Sequence, residues 1–270
     1  MHTVSLFSEN GYPLVRSDTY VLFPFIRHGE ALAGGSHPCC GITLKKAGSM
    51  RFRWNEANPV RGRFFSQLGA AERIVPLELI HSRIVYAAAE QNSTEGMQGD
   101  GIISVNRALV LSVTVADCVP VYLYDPVSSC FAMLHSGWKG TGIVQDALAA
   151  AERSFGSRAA DFCAVIGPHI QQCCYTVDGA RASFFSERFS PDCVSYDEEG
   201  GAHLSLAAAN TALLTASGVP ADNIVHVCDC TCCDGRFGSF RREAAHLPDS
   251  LPLAEKTRRF TAMAAFCGFI

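Results

Sequence analysis

The sequence predicts an α/β fold, a layered α+β arrangement in which a mixed β-sheet is flanked by helices in one domain spanning residues 1–270. Three observations point there. Short apolar runs rich in β-branched residues recur along the chain. Some are joined by turns as short as 125–129, which implies antiparallel pairing. At 130–155 a strand-like run, a glycine-rich turn and a helical pattern follow one another. With 270 residues, 48% of them apolar, the chain can bury a large core. There is no internal repeat and no linker-like stretch.

The elements follow in order. Residues 17–27 form an apolar run that suggests a strand, with Arg27 at its end. The Gly- and Pro-rich stretch 29–60 has no clear period and reads as loops. Arg61 falls in a helical turn. Residues 74–89 are mostly apolar and β-branched with His81 in the middle, and 90–101 are polar and Gly-rich, a loop. Three strands follow at 108–117, 119–124 and 130–135. After the break at 137–142, Ile143, Val144, Ala147, Leu148 and Ala151 recur at helical spacing up to Phe155. Residues 161–167 read as a strand, 178–189 and 205–217 as helices, and 223–228 as a strand.

Composition excludes several classes. A net charge of −4 offers no basic excess for a phosphate backbone, so no nucleic-acid partner is expected. No apolar run approaches the ~18 residues of a membrane span. The first residues, Met-His-Thr-Val-Ser-Leu-Phe, lack the basic and apolar regions of a signal peptide, so the chain is expected to be cytoplasmic. The thirteen cysteines are then reduced thiols, most of them packing as small hydrophobes.

His81, Cys118 and His135 each end or interrupt an apolar run. Two imidazoles and a thiolate are three protein ligands with a fourth position open, the ligand count of a catalytic zinc. The same residues also read as two satisfied histidines and a core cysteine, or Cys118 and His135 as a metal-free thiolate–imidazole dyad. The turn 137–142, Gly-Trp-Lys-Gly-Thr-Gly, lies between strand and helix, and its amides with Lys139 suit an anion. Arg27, Arg61 and the pair Arg241-Arg242 after Phe240 are further cations able to clamp a carboxylate or phosphate. Cys228, Cys230, Cys232 and Cys233 crowd one loop, but no second Cys-x-x-Cys accompanies them, so they read as reduced thiols in a tight turn.

Together these segments resemble a known family. The residues around His81, Ala116-Asp117-Cys118, His135-Ser-Gly-Trp-Lys-Gly140, Gly167-Pro168-His-Ile170 with Cys174-Tyr175-Thr-Val177, and Cys230-Thr-Cys-Cys233-Asp234 with Ser239-Phe-Arg-Arg242 occur in the order found in the laccase-domain purine nucleoside phosphorylases, long described as multicopper polyphenol oxidases. The likeness runs from about Arg27 to the C-terminus. It implies a layered α/β fold related to a Cys–His deamidase, the catalytic domain of a bacterial necrotizing factor. It also implies a catalytic Zn2+ on His81, Cys118 and His135. The activities implied are phosphorolysis of adenosine, inosine and methylthioadenosine, and deamination of adenosine. Purine nucleosides and phosphate are then the partners, with Lys139, Arg61 and Arg27 as phosphate candidates.

The chain departs from the family pattern at Leu79, where Gln is usual, at Ser82 for Gly, at Ser136 and Lys139 for Ala and Arg, and at Thr176 for Glu. The metal-ligand positions are kept. Copper oxidation fits less well than zinc: the chain has nine histidines, with no His-x-His pair to hold several coppers. Met133 shares a strand face with His135, as a blue-copper axial ligand would, but the order and spacing of the ligands differ from such a site. A zinc-binding module without catalysis is the alternative from another class.

Overall fold

The computed structural model describes residues 1–8, 11–32, 34–248 and 250–270. Residue 33, within the stretch read as loops, lies outside them, as do residues 9, 10 and 249. Among the described residues two large mixed sheets pack face to face, where the sequence predicts one. The seven-stranded sheet runs in the order His2–Val4, Ile224–Val227, Cys163–Ile166, Val119–Tyr124, Phe131–Ser136, Gly101–Ser104, Val85–Ala87. The six-stranded sheet runs Val15–Arg16, Tyr20–Phe23, Cys39–Thr43, Met263–Gly268, Val110–Val115, Ile74–Pro76.

Strand alternation assigns the layers. Tyr122, Tyr124, Phe131 and Met133 point to the core between the sheets, beside Phe23, Val113 and Met263 of the other sheet. Their neighbours Val121, Leu123, Ala132 and Leu134 face the opposite way. They are covered by Ile143, Val144 and Leu148 of the Ile143–Phe155 helix and by Leu214 of the Leu206–Ala216 helix. On the outer face of the six-stranded sheet, Phe64 and Phe65 of the Pro59–Gln67 helix pack on Val110 and Phe266. The order is helix, sheet, sheet, helices. The Tyr122 hydroxyl donates to the Gly41 carbonyl at 2.9 Å and so ties one sheet to the other.

Several expected elements change. The run at 17–27 divides at Pro24, and Ile26–Arg27 forms a separate ribbon with Glu30–Ala31. The stretch read as loops contains a central strand, Cys39–Thr43. Its period is hidden because Gly41 stands where the Phe266 ring crosses: a Cβ there would lie 2.1 Å from the ring. Asn58 caps the following helix by accepting from Val60 N and Arg61 N, with Pro59 opening the first turn. The run at 74–89 splits into two strands in different sheets, with His81 in the turn between them at φ 59°. The strand Met263–Gly268, unforeseen, is Ala-rich and buried throughout, so it lacks the alternation that marks a half-buried strand. No described helix is long and apolar enough to cross a membrane.

Candidate functional site

His135 is the fifth residue of the Phe131–Ser136 strand and is 3% exposed. Strand Val119–Tyr124 runs antiparallel beside it, which brings Cys118, just before that strand, to the same edge. Asp117 sets the corner. It adopts φ 82°, a left-handed conformation that Asp tolerates better than most residues. Its buried carboxylate accepts from Thr231 Oγ1 at 2.6 Å, Ser239 Oγ at 3.0 Å and Arg241 N at 2.6 Å.

His81 arrives from its turn. The Nδ1, Nε2 and Sγ positions offered by His81, Cys118 and His135 lie within 4.8 Å of one another, and the two imidazoles meet edge to face at 5.0 Å. Gly137 makes this approach possible, since a Cβ there would sit 2.9 Å from Cys118 Sγ. Gly140 does the same for the backbone: its Cβ would meet Ser82 O at 2.7 Å. The glycines of the 137–142 turn thus serve close packing against the His81 turn.

Asp100 organises the group, and the sequence reading does not single it out. It is fully buried. Its carboxylate accepts from His81 N (3.0 Å), Ser82 N (2.6 Å), Ser82 Oγ (2.7 Å) and His135 Nδ1 (2.8 Å). Burial pushes its pKa up, but the bonds from His135 and Ser82 outweigh that and hold it below the usual carboxylate range. His135 donates Nδ1–H to Asp100. Against the pull of burial, Cys118 and Asp100 raise its pKa to about 10, so a metal would take Nε2 by displacing a proton, in the carboxylate–histidine pattern of metal sites. Burial likewise raises the Cys118 thiol, yet His135 and His81 bring it down to about 6. The thiolate needed for a soft metal is therefore favoured at neutral pH, and the donor set fits zinc.

The triad opens into a cavity of about 460 Å³. Phe52, Trp138, Tyr175, Phe240 and Phe260 line it, with Arg51, Arg53, Arg181 and Arg241 among them. Arg53 is paired with Glu78 at 2.9 Å, and Arg51 with Glu56. Arg181 lies over the Trp138 ring at 4.3 Å, and its nearest carboxylate is Asp178 at 3.5 Å. The Arg241 guanidinium donates to Thr176 Oγ1 and O and lies over Tyr175.

The structure does not bring Arg27, Arg61 or Lys139 to this cavity. Arg27 ends its strand near Asp161 and Cys163. Arg61 is buried between Phe52 and Phe65, donating to Met50 O and Ser112 Oγ. Lys139 lies over the outside of Trp138 and lines a smaller hollow with Arg83 and Arg188. Met133 is wholly buried and does not line the cavity either.

A family model described as multi-copper polyphenol oxidoreductase laccase matches residues 56–247. The chain belongs to that family. Among laccase-domain relatives, it is 31% identical to a purine nucleoside phosphorylase of Borreliella burgdorferi over 183 residues, 66% of this chain and 78% of that one. It is 35% identical to adenosine deaminase RL5 of an unknown prokaryotic organism over 158 residues, 57% of this chain and 60% of that one. The crystal structure of Bacillus licheniformis hypothetical protein YfiH superposes with a TM-score of 0.76 at 25% identity, covering 95% of this chain and 98% of that one. The family description names several coppers, but of this laccase-domain chain's histidines only His81 and His135 join a possible metal group among the described residues. Two imidazoles and one thiolate suit a single ion and do not fit a multicopper centre.

Proposed function

We propose that the chain is a zinc-dependent purine nucleoside phosphorylase that acts on adenosine, inosine and methylthioadenosine, with deamination of adenosine as a second activity. The observation that carries this reading is the opening of the His81–Cys118–His135 group into a cavity walled by aromatic rings and guanidinium groups. The names of the relatives support it. A purine base stacks on Phe or Trp faces, and a phosphate takes bidentate bonds from Arg. Arg241, for which no ion pair is found among the described residues, and Arg181, whose pair with Asp178 is long at 3.5 Å, are the candidate cations for phosphate.

Cys118, His81 and His135 would hold the zinc, with Asp100 fixing the His135 tautomer. Zinc bound there supplies Lewis acidity towards an oxygen at neutral pH. In phosphorolysis a phosphate oxygen would bond to ribose C1′ as the bond from C1′ to the purine nitrogen breaks, the bonding pair going to that nitrogen, which takes up the proton that the hydrogen phosphate gives up. The cavity's aromatic walls hold the base and keep water from the reacting carbon.

Purified protein incubated with inosine and phosphate is expected to yield hypoxanthine and ribose 1-phosphate. No product from zinc-loaded protein would overturn the reading. Cys118→Ala is expected to lose metal and activity together. The depressed Cys118 thiol also favours a second reading, a metal-free Cys118–His135 dyad. Turnover that survives complete removal of metal by a chelator would establish the dyad in place of the zinc enzyme.

A further inference from the structure

A second group of thiols forms where the sequence suggests only a crowded loop. Strands Cys163–Ile166 and Ile224–Val227 are parallel neighbours, so the segments that follow them leave the same edge of the sheet. The first carries Cys173 and Cys174, the second Cys230 and Cys233. The Sγ atoms of these four lie within 4.8 Å of one another. Individual separations are 3.9 Å for Cys173–Cys174, 3.6 Å for Cys173–Cys233 and 3.2 Å for Cys174–Cys233. Four sulfurs at about 2.3 Å around a tetrahedral zinc stand roughly 3.8 Å apart. A disulfide would require about 2.0 Å.

The Cys230–Cys233 turn is also shaped for a thiolate. The amide of Gln171 donates to Cys230 Sγ at 3.4 Å. An amide bonded to a ligand sulfur disperses the charge of a metal-bound thiolate. The Arg242 guanidinium fixes the turn from behind, bonding the carbonyls of Thr231, Cys232 and Asp234 at 2.7, 2.9 and 3.1 Å. The second pair of ligands that the sequence lacks as a Cys-x-x-Cys is supplied by the adjacent Cys173-Cys174.

We propose that Cys173, Cys174, Cys230 and Cys233 bind a second zinc ion in a closed, structural site separate from the His81–Cys118–His135 group. Four thiolates select zinc over harder cations and leave no position for substrate. The ion would brace the cavity from outside. Tyr175, next to Cys174, lines the cavity, and Thr231, next to Cys230, holds Asp117 at the Cys118 corner.

The test uses full-length Cys118→Ala, which removes the first site and makes the result independent of the proposed reaction. This variant is expected to retain about one zinc per chain, with X-ray absorption giving about four sulfur neighbours near 2.3 Å. Adding Cys173→Ser and Cys233→Ser is expected to remove that zinc. No zinc in Cys118→Ala, iron in its place, nitrogen or oxygen as half or more of its neighbours, or zinc unchanged in the triple variant would each overturn the proposal. So would a Cys174–Cys233 disulfide in protein isolated under reducing conditions. If the triple variant does not fold, the sulfur count on folded Cys118→Ala decides alone.

Discussion

At the scale of single residues, Asp100 tests how the triad is held. Its four accepted bonds come from both histidine segments, so Asp100→Asn turns an NH2 donor towards existing donors and leaves a buried group unmatched. Zinc affinity, measured by chelator competition, is expected to fall about 10- to 100-fold. An unchanged affinity would remove Asp100 from the metal's support. Arg181→Ala is expected to raise KM for phosphate about tenfold or more, the loss of a charge-assisted bond. Lys139→Ala, outside the cavity, is expected to leave that KM unchanged, and the reverse pattern would return the phosphate to the 137–142 turn. The triad was legible in the sequence because each member interrupts an apolar run with a residue of metal-ligand type. Asp100 was not, because its stretch reads as a polar loop and its partner His135 is 35 residues away. The arginines carried no address at all. A cation on a helix or loop reaches a cavity only through rotation and packing that local pattern does not encode.

At the scale of elements, the turn after the Phe131–Ser136 strand illustrates how one motif supports two readings. Three glycines before a helix suggest an anion cradle, yet the sites of Gly137 and Gly140 are filled by Cys118 and by the Ser82 carbonyl. Gly140→Ala therefore presses on backbone, which cannot swing aside, and is expected to destabilise the fold by about 1–3 kcal/mol in denaturant unfolding. Gly137→Ala presses on the Cys118 sulfur instead, and on the proposed zinc reading is expected to lower zinc affinity more than stability. A Gly140→Ala protein as stable as the parent would show that the Ser82 turn yields. The same logic explains the missed Cys39–Thr43 and Met263–Gly268 strands. They are neighbours in register, with Gly41 opposite Phe266, so each is patterned to fit the other and neither shows the alternation of a strand with one wet face. Strands that keep a large apolar residue on each face, such as Val119–Tyr124, were legible through their β-branched and aromatic content.

At the scale of the whole molecule, the thirteen cysteines divide by environment. Burial pushes Cys130 and Cys163 up to about 12, and both are fully enclosed. At pH 8 such thiols are thiolate in only about one molecule in ten thousand, so alkylation followed by mass spectrometry is expected to leave them unmodified until the protein unfolds. Labelling of either in native protein at pH 8 would contradict the packing between and outside the sheets. The cavity carries a broader consequence. His135 and Cys118 come from the seven-stranded sheet, while Phe52, Phe260 and Ala262 come from segments flanking the six-stranded one. The pocket is thus a seam between two layers, and whatever fills it rivets them together. A ligand at a hundred times its Kd is expected to raise unfolding free energy by about 2.7 kcal/mol. Melting temperature then becomes a reporter of occupancy that requires no turnover, and compounds too slow or too inert to react can still be ranked by how firmly they hold the sheets closed.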